Sequence, residues 1–203
     1  KLDTAVKATT ESATPIWQDL RKTVLQLLPG SKNTVPSGFD FLGKPGSAIW
    51  QVDQTQKQDL LWPGWSTESL PEDATKGGVT WALNDVQGYP DADGSATEVG
   101  KFTLYEQVGF GEPEVLLSSA GKRSFLIGKN VHAHGTWAFS QEGVYCMAMT
   151  RSAIAADGSD LQHDFVMAIA VGNVSVQDVD PTECFSGKTP KGAAAGTTAG
   201  GDS

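Results

Sequence analysis

The sequence VHAHGTWAFSQEGVYCMAM, residues 131–149, carries an unusual density of chemically reactive side chains. It contains two of the three histidines, one of the two cysteines, a tryptophan and a tyrosine. A polar corner at residues 140–143 separates two apolar runs, and the partial alternation of the second run is typical of a strand that enters a sandwich core. The stretch therefore predicts two β-strands joined by this corner.

His132 and His134 stand two positions apart in the first of these strands. Side chains two apart on a strand leave the same face, about 6–7 Å from each other along the backbone. Imidazole nitrogen is a preferred ligand of zinc and other transition metals, so the pair predicts a chelate for one metal ion. The alternative is a pair of structural histidines that are hydrogen-bonded within a polar pocket.

A zinc ion normally has four ligands, so the pair needs further donors. His163 is the first candidate for a third metal ligand, and Asp164, Glu142 and Asp53 follow. Three histidines with one open position would match the ligand set of many catalytic zinc ions. The sequence nevertheless contains neither HExxH nor GxSxG, and we expect binding rather than an enzyme activity.

The two cysteines, Cys146 and Cys184, are too few for a disulfide scaffold but suffice for one bridge between the Tyr145 strand and the C-terminal segment. The alternative is a buried Cys146 and a free Cys184 in a reducing compartment. Tyr145 follows a glycine-containing corner and precedes a cysteine, which is similar to the tyrosine corner of immunoglobulin-like sandwiches, although there the tyrosine lies two residues before the cysteine.

Three tryptophans have two interpretations. Trp62, Trp65 and Trp137 would stack on a sugar ring or another ligand if their faces were exposed. They would fill the core if they were buried, because indole rings remove large apolar areas from water. Packing is the preferred interpretation.

Turn signals recur along the chain at short intervals, and helical periodicity is weak. We therefore predict an all-β fold, an antiparallel immunoglobulin-like β-sandwich with long loops, formed by residues 1–186 as a single domain.

Individual segments carry further predictions. A strand is preferred over a helix at residues 20–28, and residues 88–95 resemble a calcium loop only faintly. The Gly/Ala/Thr-rich residues 187–203 predict a disordered linker. Further strands are predicted at residues 47–52, 79–83, 101–106, 114–118, 124–127 and 164–171.

The composition restricts the class of partner. The formal net charge is −9 and the basic residues are scattered, so no nucleic acid partner is expected. No apolar run approaches the ~20 residues that cross a bilayer, and no signal peptide opens the sequence. We expect a processed extracellular protein, in contact with a membrane only through an anchor outside this chain.

Four segments together resemble a known family. The words TVPSGFDFLGKPGSAIW, QTQKQDLLWPGWSTE, FGEPEVLLSS and HAHGTWAFSQEGVYCM are similar to the actinobacterial surface-anchored protein domain, over roughly residues 23–172. Members occur in wall- or membrane-anchored proteins that are often encoded beside metal-type ABC transporters. The resemblance implies an exported β-rich domain with a role in metal uptake, and it supports His132 and His134 rather than His163 as ligands.

Three functions follow as hypotheses. The first is a surface domain, cell-surface anchored or secreted, that binds zinc or another transition metal and delivers it to an uptake system, with an ABC-transporter substrate-binding protein or another surface protein as partner. The second is an adhesin or wall-display module in which the histidines are structural. The third is a haem-binding uptake protein that uses one histidine as an axial ligand in an apolar cleft.

Overall fold

The computed structural model of the chain describes residues 6–8, 16–89, 100–107, 109 and 111–187. These residues form β-strands connected by loops and by four single-turn 3-10 helices at Leu20–Lys22, Pro29–Ser31, Val176–Asp178 and Pro181–Glu183. In chain order, the strands are β1 (Val6–Ala8), β2 (Ile16–Gln18), β3 (Val24–Leu27), β4 (Lys32–Thr34), β5 (Ala48–Val52), β6 (Gly64–Ser66), β7 (Val79–Tyr89), β8 (Phe102–Glu106), β9 (Glu114–Ser118), β10 (Ser124–Ile127), β11 (His132–His134), β12 (Thr136–Phe139), β13 (Gly143–Ile154) and β14 (Asp160–Val171).

Two five-stranded sheets make up the sandwich. The first has the order β10-β7-β13-β14-β3 and the second has the order β4-β5-β12-β8-β9. Neighbouring strands are antiparallel, except that β3 lies parallel to the end of β14. The predicted all-β sandwich is confirmed. Two further pairs, β1–β2 and β6–β11, form short ribbons.

The core lies between the sheets and is rich in aromatic rings. Alternation along β13 sends Tyr145, Met147 and Met149 inward, where each is at most 2% exposed. Opposite them, on the second sheet, Phe102 and Phe139 are fully buried and their rings lie 5.2 Å apart between centroids. Large rings at offset or tilted angles fill such a space densely.

The outer face of β13 is also buried, which explains why its sequence alternates only in part. Val144 and Cys146 point away from the core and are nevertheless inaccessible to solvent. The segment after β14 folds back over them, and it contributes Val174, Val179 and Cys184 to this outer layer. A strand that is covered on both faces reads as a nearly continuous apolar run.

The bridge between Cys146 and Cys184 is confirmed, with 5.5 Å between the two Cα atoms. It fastens the C-terminal segment to the outside of the first sheet, whereas the immunoglobulin bridge joins the two sheets through the core. The tyrosine corner is retained locally, since the Tyr145 hydroxyl donates to the carbonyl of Gln141 at 2.9 Å. Burial raises the pKa of this hydroxyl, so it remains a proton donor.

Some element boundaries differ from the sequence-based expectations. The predicted strand at residues 20–28 is divided, because the Asp19 carboxylate accepts from the Arg21 N–H and initiates a 3-10 turn at Leu20–Lys22 before β3 starts. The strand predicted at 79–83 continues to Tyr89. Most of the faint calcium loop and residues 188–203 of the predicted linker lie outside the described residues.

The described residues contain no helix that is long and apolar enough to cross a membrane. The disulfide is typical of proteins in oxidising compartments. This bond is compatible with an extracellular location.

Candidate metal site

The two histidines of β11 lie on the outward face of the β6–β11 ribbon. The strands pair so that His132 lies opposite Ser66, Ala133 opposite Trp65, and His134 opposite Gly64. Alternation sends Trp65 and Ala133 toward the core and both imidazoles to the other side. The expected placement of the two rings on one face is therefore present.

A buried threonine fixes the position of this ribbon. Thr67 is 5% exposed, and its N–H donates to the carbonyl of Val131 at 2.8 Å. Its hydroxyl donates to the carbonyl of Gly128 at 2.8 Å and accepts from the N–H of Val131 at 3.0 Å. These bonds tie the residue after β6 to the residue before β11, so the two strands enter the ribbon in a fixed register.

His132 is held by an acidic side chain. Its Nδ1 lies 2.8 Å from Oε2 of Glu68, and the same carboxylate oxygen accepts from the Ser66 hydroxyl at 3.1 Å. Ser66 Oγ in turn accepts from the Glu68 backbone N–H at 3.2 Å. The residue opposite His132 on β6 therefore helps to position the carboxylate that orients the imidazole.

His134 is held by a backbone carbonyl and an aromatic face. Its Nδ1 lies 3.2 Å from the carbonyl oxygen of Pro63, and its ring stacks on Trp62 with 3.6 Å between centroids and 6° between planes. The Trp62 indole N–H donates to the carbonyl of Gln54 at 2.9 Å, which fixes the stacking partner. Partial burial lowers the pKa of His134, the Pro63 carbonyl opposes this shift, and a charge on His132 adds to it.

Gly64 gives the His134 ring its space. A Cβ atom at this position would lie 2.5 Å from the Ala133 carbonyl oxygen and 2.6 Å from Nδ1 of His134. Contacts this short force the neighbouring atoms apart, and one of them belongs to the backbone. The Trp-Pro-Gly-Trp turn therefore combines a ring below His134 with an open position beside it.

The hydrogen-bond partners of the two rings determine where their protons lie. A carboxylate and a carbonyl oxygen only accept hydrogen bonds, so both Nδ1 atoms act as donors. In neutral rings, both Nε2 atoms then carry unshared electron pairs. These two Nε2 atoms, on His132 and His134, are 3.2 Å apart. Two electron pairs at this distance repel each other unless a proton or a metal ion lies between them.

The spacing suits a tetrahedral metal ion. Zinc–imidazole bonds of 2.0–2.1 Å at a tetrahedral angle place the two nitrogens about 3.3 Å apart. The observed separation of 3.2 Å is close to that value. Carboxylate and carbonyl acceptors on the second nitrogen are also the usual outer partners of metal-bound histidines, which they orient and make more basic.

The other predicted ligands do not join the histidine pair. In the described part of the chain, no group of three or more His, Cys, Asp or Glu side chains is arranged to hold a metal ion. Asp164 accepts from Thr150, Glu142 accepts from the Trp50 indole, and Asp53 is paired with Lys57. His163 lies opposite Arg151 on β14, a strand of the first five-stranded sheet and not of the β6–β11 ribbon.

Two of the three tryptophans pack in the core, and the third stacks on a histidine. Trp65 and Trp137 are 7% and 2% exposed and belong to the core, as the packing interpretation expects. Trp62 is 37% exposed, but one of its faces is occupied by His134. Its role in this structure is to position an imidazole.

Sequence reasoning missed Glu68 and the Pro63 carbonyl. Glu68 lies 64 residues before His132 in the chain, and only the β6–β11 register brings them together. The sequence-based interpretations of Trp62 and Trp65 concern only their rings, whereas Gly64 and the Pro63 carbonyl between them contribute as much to the site.

The sequence matches no family model, and no curated protein or solved structure matches it either. The likeness to the actinobacterial surface-anchored domain therefore stays a prediction.

Proposed function

We propose that this protein binds a transition-metal ion, with zinc as the best fit, through Nε2 of His132 and Nε2 of His134. The observation that carries the proposal is the pair of facing Nε2 atoms 3.2 Å apart, each on a ring whose Nδ1 already has an acceptor. This arrangement leaves the two Nε2 lone pairs close enough for one ion to bind both. A divalent ion between them replaces their repulsion with two coordinate bonds.

The small number of protein ligands suits capture and transfer. Two imidazoles leave two positions of a tetrahedral ion for water or for donors of another molecule. The His132 side chain is 56% exposed, so such donors can approach from solvent. We propose that the ion is released by ligand exchange to an acceptor that offers more donors, rather than used in catalysis.

The proposed setting is the cell surface. The disulfide supports an oxidising environment. The likeness to domains encoded beside metal-type ABC transporters suggests anchoring to the wall or membrane and an acceptor such as a substrate-binding protein of the transporter. The acidic charge of the chain, −9, also favours a cationic ligand over an anionic polymer.

The geometry supports an ion better than haem. An axial histidine must direct Nε2 at the haem iron from within an apolar cleft. Here each Nε2 faces the other imidazole on an outward ribbon, and the pair has a hydrophilic neighbour in Glu68.

Thermal unfolding with zinc chloride or with a chelator tests the proposal. A ligand that binds only the native state stabilises it by RT ln(1 + [L]/Kd), about 2.7 kcal/mol at 100 times Kd. We expect zinc to raise the Tm of the wild-type protein and to leave the Tm of His132→Ala and His134→Ala unchanged. His163→Ala is the matched control and should respond as the wild type does. An unchanged wild-type Tm at millimolar zinc would refute the proposal, as would a response that His163→Ala abolishes.

A further inference from the structure

On the inner face of the β13–β14 hairpin, the side chains change from buried and apolar to partly accessible at residue 151. Met147 and Met149 are completely buried, and the next inward position on β13 is Arg151, which is partly accessible. On β14, Met167 is buried whereas Phe165 and His163 are partly accessible. Arg151 therefore lies at the rim of the core, where the sheet extends beyond its covering layer.

Aromatic faces enclose the guanidinium of Arg151. It lies 4.1 Å from the ring centroid of Trp81, its neighbour on β7, and 5.3 Å from that of Phe165. Such cation–π contacts offset part of the cost of removing a guanidinium from water. An aromatic ring offers no oxygen or nitrogen lone pair, so these contacts do not replace the acceptors that the guanidinium N–H groups need.

Those donors lack a partner. Within the described residues, Nε of Arg151 is buried with no hydrogen-bond acceptor, and the guanidinium has no ion pair with a carboxylate. The other two arginines differ, since Arg21 pairs with Asp19 at 2.8 Å and Arg123 donates to the Ser119 carbonyl at 2.6 Å. In the described part of the chain, no carboxylate forms an ion pair with Arg151, which is the most buried of the three arginines.

A buried charge without a counter-charge is costly. Burial lowers the pKa of Arg151 to about 10, which leaves the group charged at neutral pH. An anion beside the accessible part of the guanidinium would recover part of this cost.

A second possible donor, His163, stands on the neighbouring strand. His163 is directly opposite Arg151 in the β13–β14 register, so the two side chains leave the same face of the sheet. Its imidazole is nearly parallel to the Phe165 ring, with 6.2 Å between centroids. The Arg151 guanidinium and the His163 imidazole can both donate hydrogen bonds to an anion. A cation would instead need two groups that accept.

We propose that Arg151 and His163 form a binding site for the carboxylate group of a small organic acid, with Phe165 as its apolar wall. The planar guanidinium matches the two oxygens of a carboxylate. A carboxylate suits this rim better than a phosphate, because a single charge costs less to remove from water than two. The site is independent of the histidine pair on β11.

Arginine side-chain NMR tests the proposal on the intact protein. The chain has three arginines, so the Nε–Hε signals of Arg21, Arg123 and Arg151 can be assigned by substitution. Sodium benzoate should shift the Arg151 signal in a saturable manner and leave the other two in place, and benzamide, the neutral isostere, should shift none. Failure of Arg151 to respond to millimolar benzoate, or an equal response to benzamide, would overturn the proposal.

Substitution sharpens the test. Arg151→Met keeps an unbranched side chain at this position and should weaken benzoate binding about tenfold or more, measured by isothermal titration, because it removes a charged hydrogen bond. Arg123→Met is the matched control and should bind as the wild type does. Undiminished affinity in a folded Arg151→Met protein would contradict the assignment, and the wild-type NMR titration decides the question if that variant does not fold.

Discussion

The two ends of the segment from β11 to β13 satisfy their polar groups in different ways. At the corner end, Tyr145 donates to Gln141 and Cys146 is bonded to Cys184, so every reactive group in this region has an internal partner. At the ribbon end, His132 and His134 have partners for Nδ1 but share only each other at Nε2. The corner end therefore holds the fold together, and the ribbon end keeps a binding capacity that only an external cation uses fully.

Removal of the disulfide at the corner end is expected to have the largest effect on the free energy of unfolding. The bond joins residues 38 positions apart, and closing a loop of that length stabilises a protein by about 4 kcal/mol in the chain-entropy model. We expect Cys146→Ala with Cys184→Ala to lower the free energy of unfolding by about this amount in guanidinium titrations. Zinc should still stabilise the folded variant, because the ribbon lies elsewhere. A variant that folds normally but no longer responds to zinc would show that the two ends are coupled.

At the ribbon end, Gly64→Ala should weaken zinc binding. The added methyl group would lie 2.5 Å from the Ala133 carbonyl oxygen, and such overpacking costs about 1–3 kcal/mol. We expect zinc affinity, measured by competition with a chromophoric chelator, to fall by about tenfold to a hundredfold. Gly77→Ala is the control, because no atom lies within 4 Å of its added Cβ. Equal affinities for the two variants would mean that the ribbon does not hold the ligands.

Glu68→Gln tests the orienting carboxylate with a smaller change. Loss of an outer partner of a metal-bound histidine typically costs 10–100-fold in affinity, and the amide oxygen of Gln can still accept a weaker bond. We therefore expect a loss near the lower limit, about tenfold. Glu72→Gln removes the same charge from the same loop and should leave the affinity within about twofold. A similar loss in both variants would point to net charge rather than to orientation.

The smallest expected effect is the contribution of His134 to the pH dependence of stability. Burial lowers the pKa of His134 in the folded protein below the ordinary value of 6.5, so the unfolded chain binds the proton more readily. Stability of the metal-free protein should therefore be full above pH 6.5 and decline as the pH falls below it. His134→Gln should flatten this part of the stability profile, measured by urea unfolding at pH 7.5 and 5.5. A profile that stays as steep in the variant would assign the proton uptake to another group.

The sequence predicted the parts of the molecule that depend on local pattern. Alternation identified the strand at residues 124–127 and most of the others, and the HxH spacing sufficed to place His132 and His134 on one face. Two cysteines allow only one intramolecular pairing, and the structure decides between a bond and free thiols in favour of the bond between Cys146 and Cys184.

Pairing between distant segments could not be predicted in the same way. Glu68 joins the site only because β6 and β11 pair in one particular register, and nothing local specifies that register. His163 was expected beside the pair, yet its strand carries it to the face that also holds Arg151. Burial of both faces of β13 depends on the C-terminal segment that follows β14 and covers Val144 and Cys146.

The most direct test of the account is anomalous diffraction at the zinc absorption edge from crystals of the protein grown with zinc. We expect a single strong anomalous peak that lies 2.0–2.1 Å from Nε2 of both His132 and His134. Water or another molecule should fill the remaining coordination positions of the zinc ion. A fully zinc-exposed crystal with no peak between these two rings, or with its peak at His163 instead, would contradict the account.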